Sequence, residues 1–156
     1  MIRYFIGIFL MLLGLLFGYT HAGGKLGDLL HLSELIIIGS VILGAVTCSF
    51  GFGRFCGMIW DGIFRSHTID SARRAANIKI CEGASVFSIC GGLAAILLGL
   101  IITLGSWGHP PDSDAEKLGA CATGILWGLF FFVVLFQPLK YRFLNHAGQA
   151  GAAEER

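Results

Sequence analysis

Residues Ala84–Leu104 read ASVFSICGGLAAILLGLIITL and contain no Asp, Glu, Lys, Arg or His. A helix of roughly 20 mostly apolar residues crosses a hydrocarbon core of about 30 Å, so this stretch predicts a membrane span. Upstream as far as Ala72 nothing breaks the helix, and Gly83, Gly91, Gly92 and Gly99 are tolerable within it. At 1.5 Å per residue the whole helix would be about 50 Å long. About 15–20 Å of it would therefore stand outside the bilayer, carrying Arg73, Arg74, Lys79 and Glu82.

Outward from this stretch, three more apolar runs qualify, at about 4–19, 35–52 and 119–139. The composition agrees: of 156 residues 55% are hydrophobic and 13% charged, against about 25% charged in soluble domains. The expected architecture is an all-α membrane protein with four transmembrane helices in one domain, residues 1–144. A loop at 53–83 separates the second span from the third, and a small-residue tail at 145–156 is expected to be disordered. Arg3, the first apolar run and Thr20-His21-Ala22 also fit a signal peptide. Gly14-x-x-x-Gly18, a helix-packing spacing, and the three later spans favour a true span. With four spans, Arg3, Arg54, Arg65, Arg73, Arg74, Lys79, Lys140, Arg142 and Arg156 share one side, and only Lys25 and Lys117 lie on the other. Basic residues mark the cytoplasmic side, so both termini are expected there, with the long third helix protruding into the cytoplasm.

Several chemistries find little support. A net charge of +1 and no basic cluster beyond Arg73-Arg74, read as a membrane anchor, point to no nucleic-acid partner. Five cysteines are an odd number, with no pair in an outer loop, so no disulfide framework is expected. The histidines at 21, 31, 67, 109 and 146 are scattered, and no metal-ligand spacing appears. No cofactor or metal is expected. Four spans without a titratable or metal-binding constellation also argue against an enzyme or a small-molecule transporter.

The segments between spans are more informative. His21–Gly39, HAGGKLGDLLHLSELIIIG, is a polar interlude in which Gly23, Gly24 and Gly27 suit tight turns. Ser33 can cap the second span, leaving Glu34 in its first turn, where the helix dipole favours negative charge. Glu34 is thus either a helix-start stabiliser or a charge at a pathway mouth. In Gly53–Ile69, Arg54, Asp61 and Arg65 share one helical face, and Phe52, Phe55, Ile59 and Ile63 the opposite one. The apolar face either lies in lipid with Trp60 near the headgroups or packs on neighbouring helices. Pro110-Pro111 suits an outer turn, Ser113-x-x-Glu116 reads as a capping box, and Ala120, Gly124 and Gly128 form a small-residue face.

The polar residues of the spans are Ser40, Thr47, Ser85, Ser88, Thr103, Thr123 and Gln137. Hydroxyls in helices commonly bond to the carbonyl four residues back; they can line a path but cannot store a proton. If this chain belongs to an ion pathway, a partner must bring the carboxylate.

At this point two blocks of sequence resemble a known family. GYTHAGGKLGDLLHLSELIIIGSVILGA, Gly18–Ala45, is similar to the first two spans of MotA, the channel subunit of flagellar stators. GGLAAILLGLIITLGS, Gly91–Ser106, and TGILWGLFFFVVLFQPL, Thr123–Leu139, resemble its third and fourth spans, and more distantly those of ExbB and TolQ. The resemblance implies a ring-forming subunit of an ion-driven channel or rotary motor in the bacterial inner membrane. The ring would be a homo-oligomer, pentameric in the family, around single-span partners of the MotB, ExbD or TolR type that supply an ion-carrying aspartate. Gly92, Gly99, Gly124 and Gly128 would then permit close packing around the partner. Ser88, Thr103 and Thr123 would line the channel, Pro138 would be a hinge, and Glu34 an outer-mouth charge. The family's large cytoplasmic domain is replaced here by Gly53–Gly83, its third-span proline by Ile89 or Cys90, and a fourth-span threonine by Ile125. Those departures favour the runner-up, an oligomeric tetraspan scaffold that has lost transport.

Overall fold

The computed structural model describes residues 2–21, 27, 32–66, 68–105 and 114–154, with the backbone alone at 2–5, 114–117, 120 and 146–154. The order is α1 (Ile2–His21), α2 (Leu32–Phe50), α3 (Phe52–Trp60) continued by a π turn (Asp61–Arg65), α4 (Ser71–Gly105), α5 (Asp114–Phe130), a second π turn (Phe131–Phe136) and α6 (Gln137–Glu154). No strand occurs among the described residues. Leu32–Phe50, Ser71–Gly105 and Cys121–Asn145 are each long and apolar enough to cross a membrane, and Ile6–His21 is a shorter apolar helix. The chain is therefore an all-helical, multi-pass membrane protein. In hydrocarbon, unpaired backbone groups are too costly, and a helix satisfies them within its own segment.

α4 is the axis. Its buried residues Arg74, Asn77, Cys81, Ala84, Ser88, Gly91 and Ala95 recur at alternating intervals of three and four, which keeps them on one side of a helix. Most are small, so neighbours come close. A Cβ added at Gly128 of α5 would lie 2.7 Å from the Ser88 carbonyl oxygen and 3.0 Å from Gly92 Cα. A Cβ at Gly92 would lie 3.0 Å from the Gly124 oxygen, and one at Gly91 would lie 3.3 Å from Ile38 Cα of α2. Lipid tails are as apolar as leucine, so the attraction between spans is van der Waals contact, which small residues maximise.

Gly51 joins α2 to α3 without a loop. Its φ of 87° lies in the left-handed region, which costs a residue with a Cβ about 1–2 kcal/mol. Its N–H still donates to Thr47 O at 3.0 Å, and its carbonyl accepts from the Phe55 N–H at 3.2 Å. This turn swings α3 back against the bundle. Phe55 and Met58 are buried, with the Phe55 ring 6.3 Å from that of Phe136. A Cβ at Gly62 would collide with Leu139 and crowd Phe143. Of the two readings of this segment, packing holds for Phe55, whereas Phe52 stays exposed. The expected polar face does not form: Asp61 is buried while Arg54 and Arg65 are exposed.

The second π turn precedes Pro138, which has no N–H and whose ring would clash with the carbonyl four residues back. Widening the helix resolves this, and the Gln137 N–H bonds to Phe132 O. Pro138 thus interrupts the hydrogen-bond register without stopping the helix. α6 runs on to Glu154, so the tail expected to be disordered is helical there; Ala147, Gln149, Ala150, Ala152 and Ala153 are good helix formers.

α1 packs little. Ile6, Phe9, Leu10, Leu13 and Phe17 are each more than half exposed, and a Cβ at Gly14 or Gly18 would meet nothing within 4 Å. Gly23, Gly24, Pro110-Pro111, Ser113 and the side chains of Glu116 and Ala120 lie outside the described residues.

Gly128→Val is expected to destabilise the chain by about 1–3 kcal/mol through overpacking, measured by SDS-titration unfolding of the detergent-solubilised monomer. Gly14→Val should leave the monomer's unfolding midpoint unchanged.

Candidate functional site

The sequence-predicted residues fall in two places. Ser88, Gly92, Gly99, Thr103, Gly124 and Gly128 meet where α4 crosses α5 within the single chain. Ser88 is fully buried and its hydroxyl donates to Ser85 O at 2.8 Å. Thr103 is 1% exposed, its hydroxyl donates to Gly99 O at 2.8 Å, and it lies 3.8 Å from Cys121 Sγ. A Cβ at Gly99 would lie 2.5 Å from that sulfur. These hydroxyls and glycines face the neighbouring helix of the same subunit. The expectation that Ser88 and Thr103 line a lumen and that the glycines seat a partner meets a plain packing fact: that face is already occupied. Thr123 is half-buried beside it. Pro138 and Glu34 lie elsewhere, the first at the start of α6, the second in the first turn of α2. Ser33 is itself within that turn, and its hydroxyl donates to Glu34 Oε2 at 2.8 Å.

A second cluster, not anticipated from the sequence, closes the end of the bundle where α3 and α4 meet. Asp61 is 1% exposed. Arg73 Nε donates to its Oδ2 at 2.6 Å and Arg73 Nη2 to its Oδ1 at 3.1 Å, while Asn77 Nδ2 donates to Oδ2 at 3.1 Å. A two-point guanidinium–carboxylate contact is among the stronger polar interactions in proteins. Burying the carboxylate without those donors would cost several kcal/mol. The π turn makes the burial possible: the extra residue shifts the helix register at Asp61, turning the carboxylate inward towards α4.

Arg74 is also buried, and its Nη2 donates to Ile69 O at 3.3 Å. The Arg73-Arg74 pair is therefore more than a surface anchor: one arginine clasps Asp61 and the other holds the turn before α4. Further along, Lys140 Nζ of α6 lies 2.9 Å from Glu82 Oε1 of α4, a partly exposed pair. A signal for the clasp was present in the sequence. Asp61 stands alone in Met58-Ile59-Trp60-Asp61-Gly62-Ile63-Phe64, and an acid in so apolar a run needs a counter-charge nearby once it is buried.

Beside the clasp is a cleft of about 310 Å³ lined by Gly53, Arg54, Gly57, Asp61, Arg73, Ala76, Asn77 and Ile80. Between α1 and α5 lies an apolar groove of about 370 Å³, lined by Met11, Leu15, Leu126, Leu129, Phe130, Val133 and Val134. No three His, Cys, Asp or Glu side chains among the described residues are placed to hold a metal. No family model matches the chain, and no curated protein or solved structure matches it either.

Arg73→Ala is expected to cost about 2–3 kcal/mol, the low end for a broken buried pair because the arginine itself is partly solvated. The Asp61→Asn/Arg73→Gln double variant should recover most of that loss, read as the SDS-unfolding midpoint.

Proposed function

We propose that this chain is a ring-forming subunit of an ion-driven channel or rotary unit in a bacterial inner membrane, of the MotA, TolQ and ExbB kind. Its ion-carrying aspartate would come from a single-span partner of the MotB, ExbD or TolR type. The observation that carries the reading is the division of charge along the helices. The apolar lengths at 35–52, 84–104 and 119–139 hold no acid or base, and the one fully buried carboxylate among the described residues, Asp61, is committed to Arg73 and Asn77 outside those lengths. Such helices can enclose a charge supplied by another molecule but cannot hold one within the bilayer. An acid held in such surroundings has its charged form penalised, which couples protonation to position. The exposed apolar surface of α1, with Gly14 and Gly18 open on it, fits a fourth, peripheral span that meets neighbouring copies, with both termini on the cytoplasmic side. Glu34 would sit at the outer mouth, Thr123 would offer the polar lining, and the bend at Pro138 would serve as the hinge.

A specific observation favours the second reading, an oligomeric tetraspan scaffold without transport. Ser88 and Thr103 spend their hydroxyls on their own helix and face α5, which leaves less polar surface for a lumen.

The two readings separate in one preparation. On particle imaging of the detergent-extracted complex, an ion-driven unit is expected as a closed ring with an occupied centre, together with a co-purifying single-span protein bearing an intramembrane aspartate. An empty or lipid-filled ring would leave the scaffold reading standing, and a monomer without companions would end both.

A further inference from the structure

We infer that the cleft beside the Asp61 clasp is a binding site for a phosphate group, with the headgroup of an anionic lipid as the source its position favours. The inference rests on the chain being membrane-embedded and not on ring assembly or ion transport.

The argument begins with charge. Two arginines line the cleft, Arg54 from α3 and Arg73 from α4, and the only acid lining it is Asp61. Asp61 does not oppose an incoming anion as a free carboxylate would. Both of its oxygens already accept hydrogen bonds, from Arg73 and from Asn77, and its charge is balanced by the guanidinium it holds. Arg73 spends Nε and Nη2 on this contact, and its side chain is still 59% exposed. Part of its donor fork is therefore available. Arg54 is exposed and engaged in no ion pair among the described residues. The cleft thus carries one balanced pair and one unbalanced guanidinium, a net positive site. Arginine forks match phosphate oxygens in geometry as well as charge.

The walls leave room. Gly53 and Gly57 put bare backbone on one side of the cleft, and Arg73 Nη2 lies 3.8 Å from where a Gly57 Cβ would be. A side chain longer than alanine there would reach into the space a ligand needs. Clasping Asp61 also pre-sets Arg73, so less side-chain freedom is lost on binding than for a free arginine.

Position selects the source. Arg54 stands three residues beyond the turn at Gly51 that ends the apolar α2. On the same short helix Phe52, Trp60 and Phe64 are each more than half exposed, with the Trp60 and Phe64 rings 4.4 Å apart. Positions 52 and 60 are each one residue before the cleft-lining 53 and 61, so the exposed aromatics sit one register round from the cleft. Exposed aromatics beside basic residues at a span's end mark the headgroup layer, and basic pockets between spans there are known lipid-headgroup sites.

The test uses the full chain in non-ionic detergent, with any co-purifying subunits, titrated with short-chain phosphatidylglycerol, short-chain phosphatidylcholine and inorganic phosphate and read by native mass spectrometry. The wild type is expected to hold phosphatidylglycerol about five-fold or more over phosphatidylcholine, the preference one basic side chain near an anionic surface supplies. Arg54→Gln should abolish that preference. Gly57→Leu, which blocks the cleft without changing charge, should do the same, and neither substitution removes a contact the fold uses. Competition by millimolar inorganic phosphate that depends on Arg54 would support the site and assign it to a soluble phosphate; phosphatidylglycerol binding untouched by inorganic phosphate would support the lipid. Equal binding of the two lipids by the wild type, or a preference that survives both variants, would overturn the inference. None of these results depends on ring assembly or partner retention, so failure here is distinguishable from failure of the ring reading.

Discussion

The fold depends on how closely α4 can be approached. Between membrane helices there is no hydrophobic gain from leaving water, because lipid and side chain are equally apolar, and what remains is contact area. The α4 stripe of Cys81, Ala84, Ser88, Gly91, Gly92 and Ala95 lets α2 and α5 touch it nearly backbone to backbone. Gly128 and Gly92 mark the tightest point, where neither helix has room for a methyl group. Serine and threonine in this contact bond to their own helix, as Ser88 and Thr103 do, and so bring no unpaired hydroxyl into a region without water.

At the end of the bundle the rules change. Where α3 folds back through Gly51, bulky groups return: Phe55, Met58, Phe136, Leu139 and Phe143 make a conventional apolar core. At its edge, Asp61 is drawn in by Arg73 and Asn77. The same molecule therefore uses two cements, small-residue contact along the spans and a buried ion pair with aromatic packing at one end. The clasp links α3 to α4 across the only sharp turn between them, and it leaves one arginine surface and Arg54 pointing into the neighbouring cleft. A device that positions the short helix thus also creates a positively charged recess beside an exposed aromatic strip.

Much of this was legible from residue order. The long α4 follows from an uninterrupted helical pattern from Ala72 to Leu104, and α2 and the α5 region from runs without charge. The small-residue spacing of Gly124 and Gly128 pointed to close helix contact, although not to which helix. The short segment after α2 was harder. Its amphipathic pattern assigned Asp61 to a polar face with Arg54 and Arg65, because that reading assumes 3.6 residues per turn throughout. The π turn at Asp61–Arg65 adds a residue and rotates everything after it, so the pattern misplaces the carboxylate. Pro138 likewise reads as a stop in the sequence, but a second π turn absorbs it and α6 continues.

Sequence alone determined that the chain is helical and belongs in a bilayer, since an apolar run of sufficient length can satisfy its backbone there in no other way. It also determined that the spans carry no titratable acid of their own. Only the tertiary structure decided which glycines touch which helix, that Ser88 and Thr103 turn inward, and that Asp61 is buried against Arg73 and Asn77. Those outcomes depend on the relative rotation of packed helices. A residue added at a π turn, or a left-handed glycine at a corner, changes that rotation while leaving the local apolar pattern almost the same.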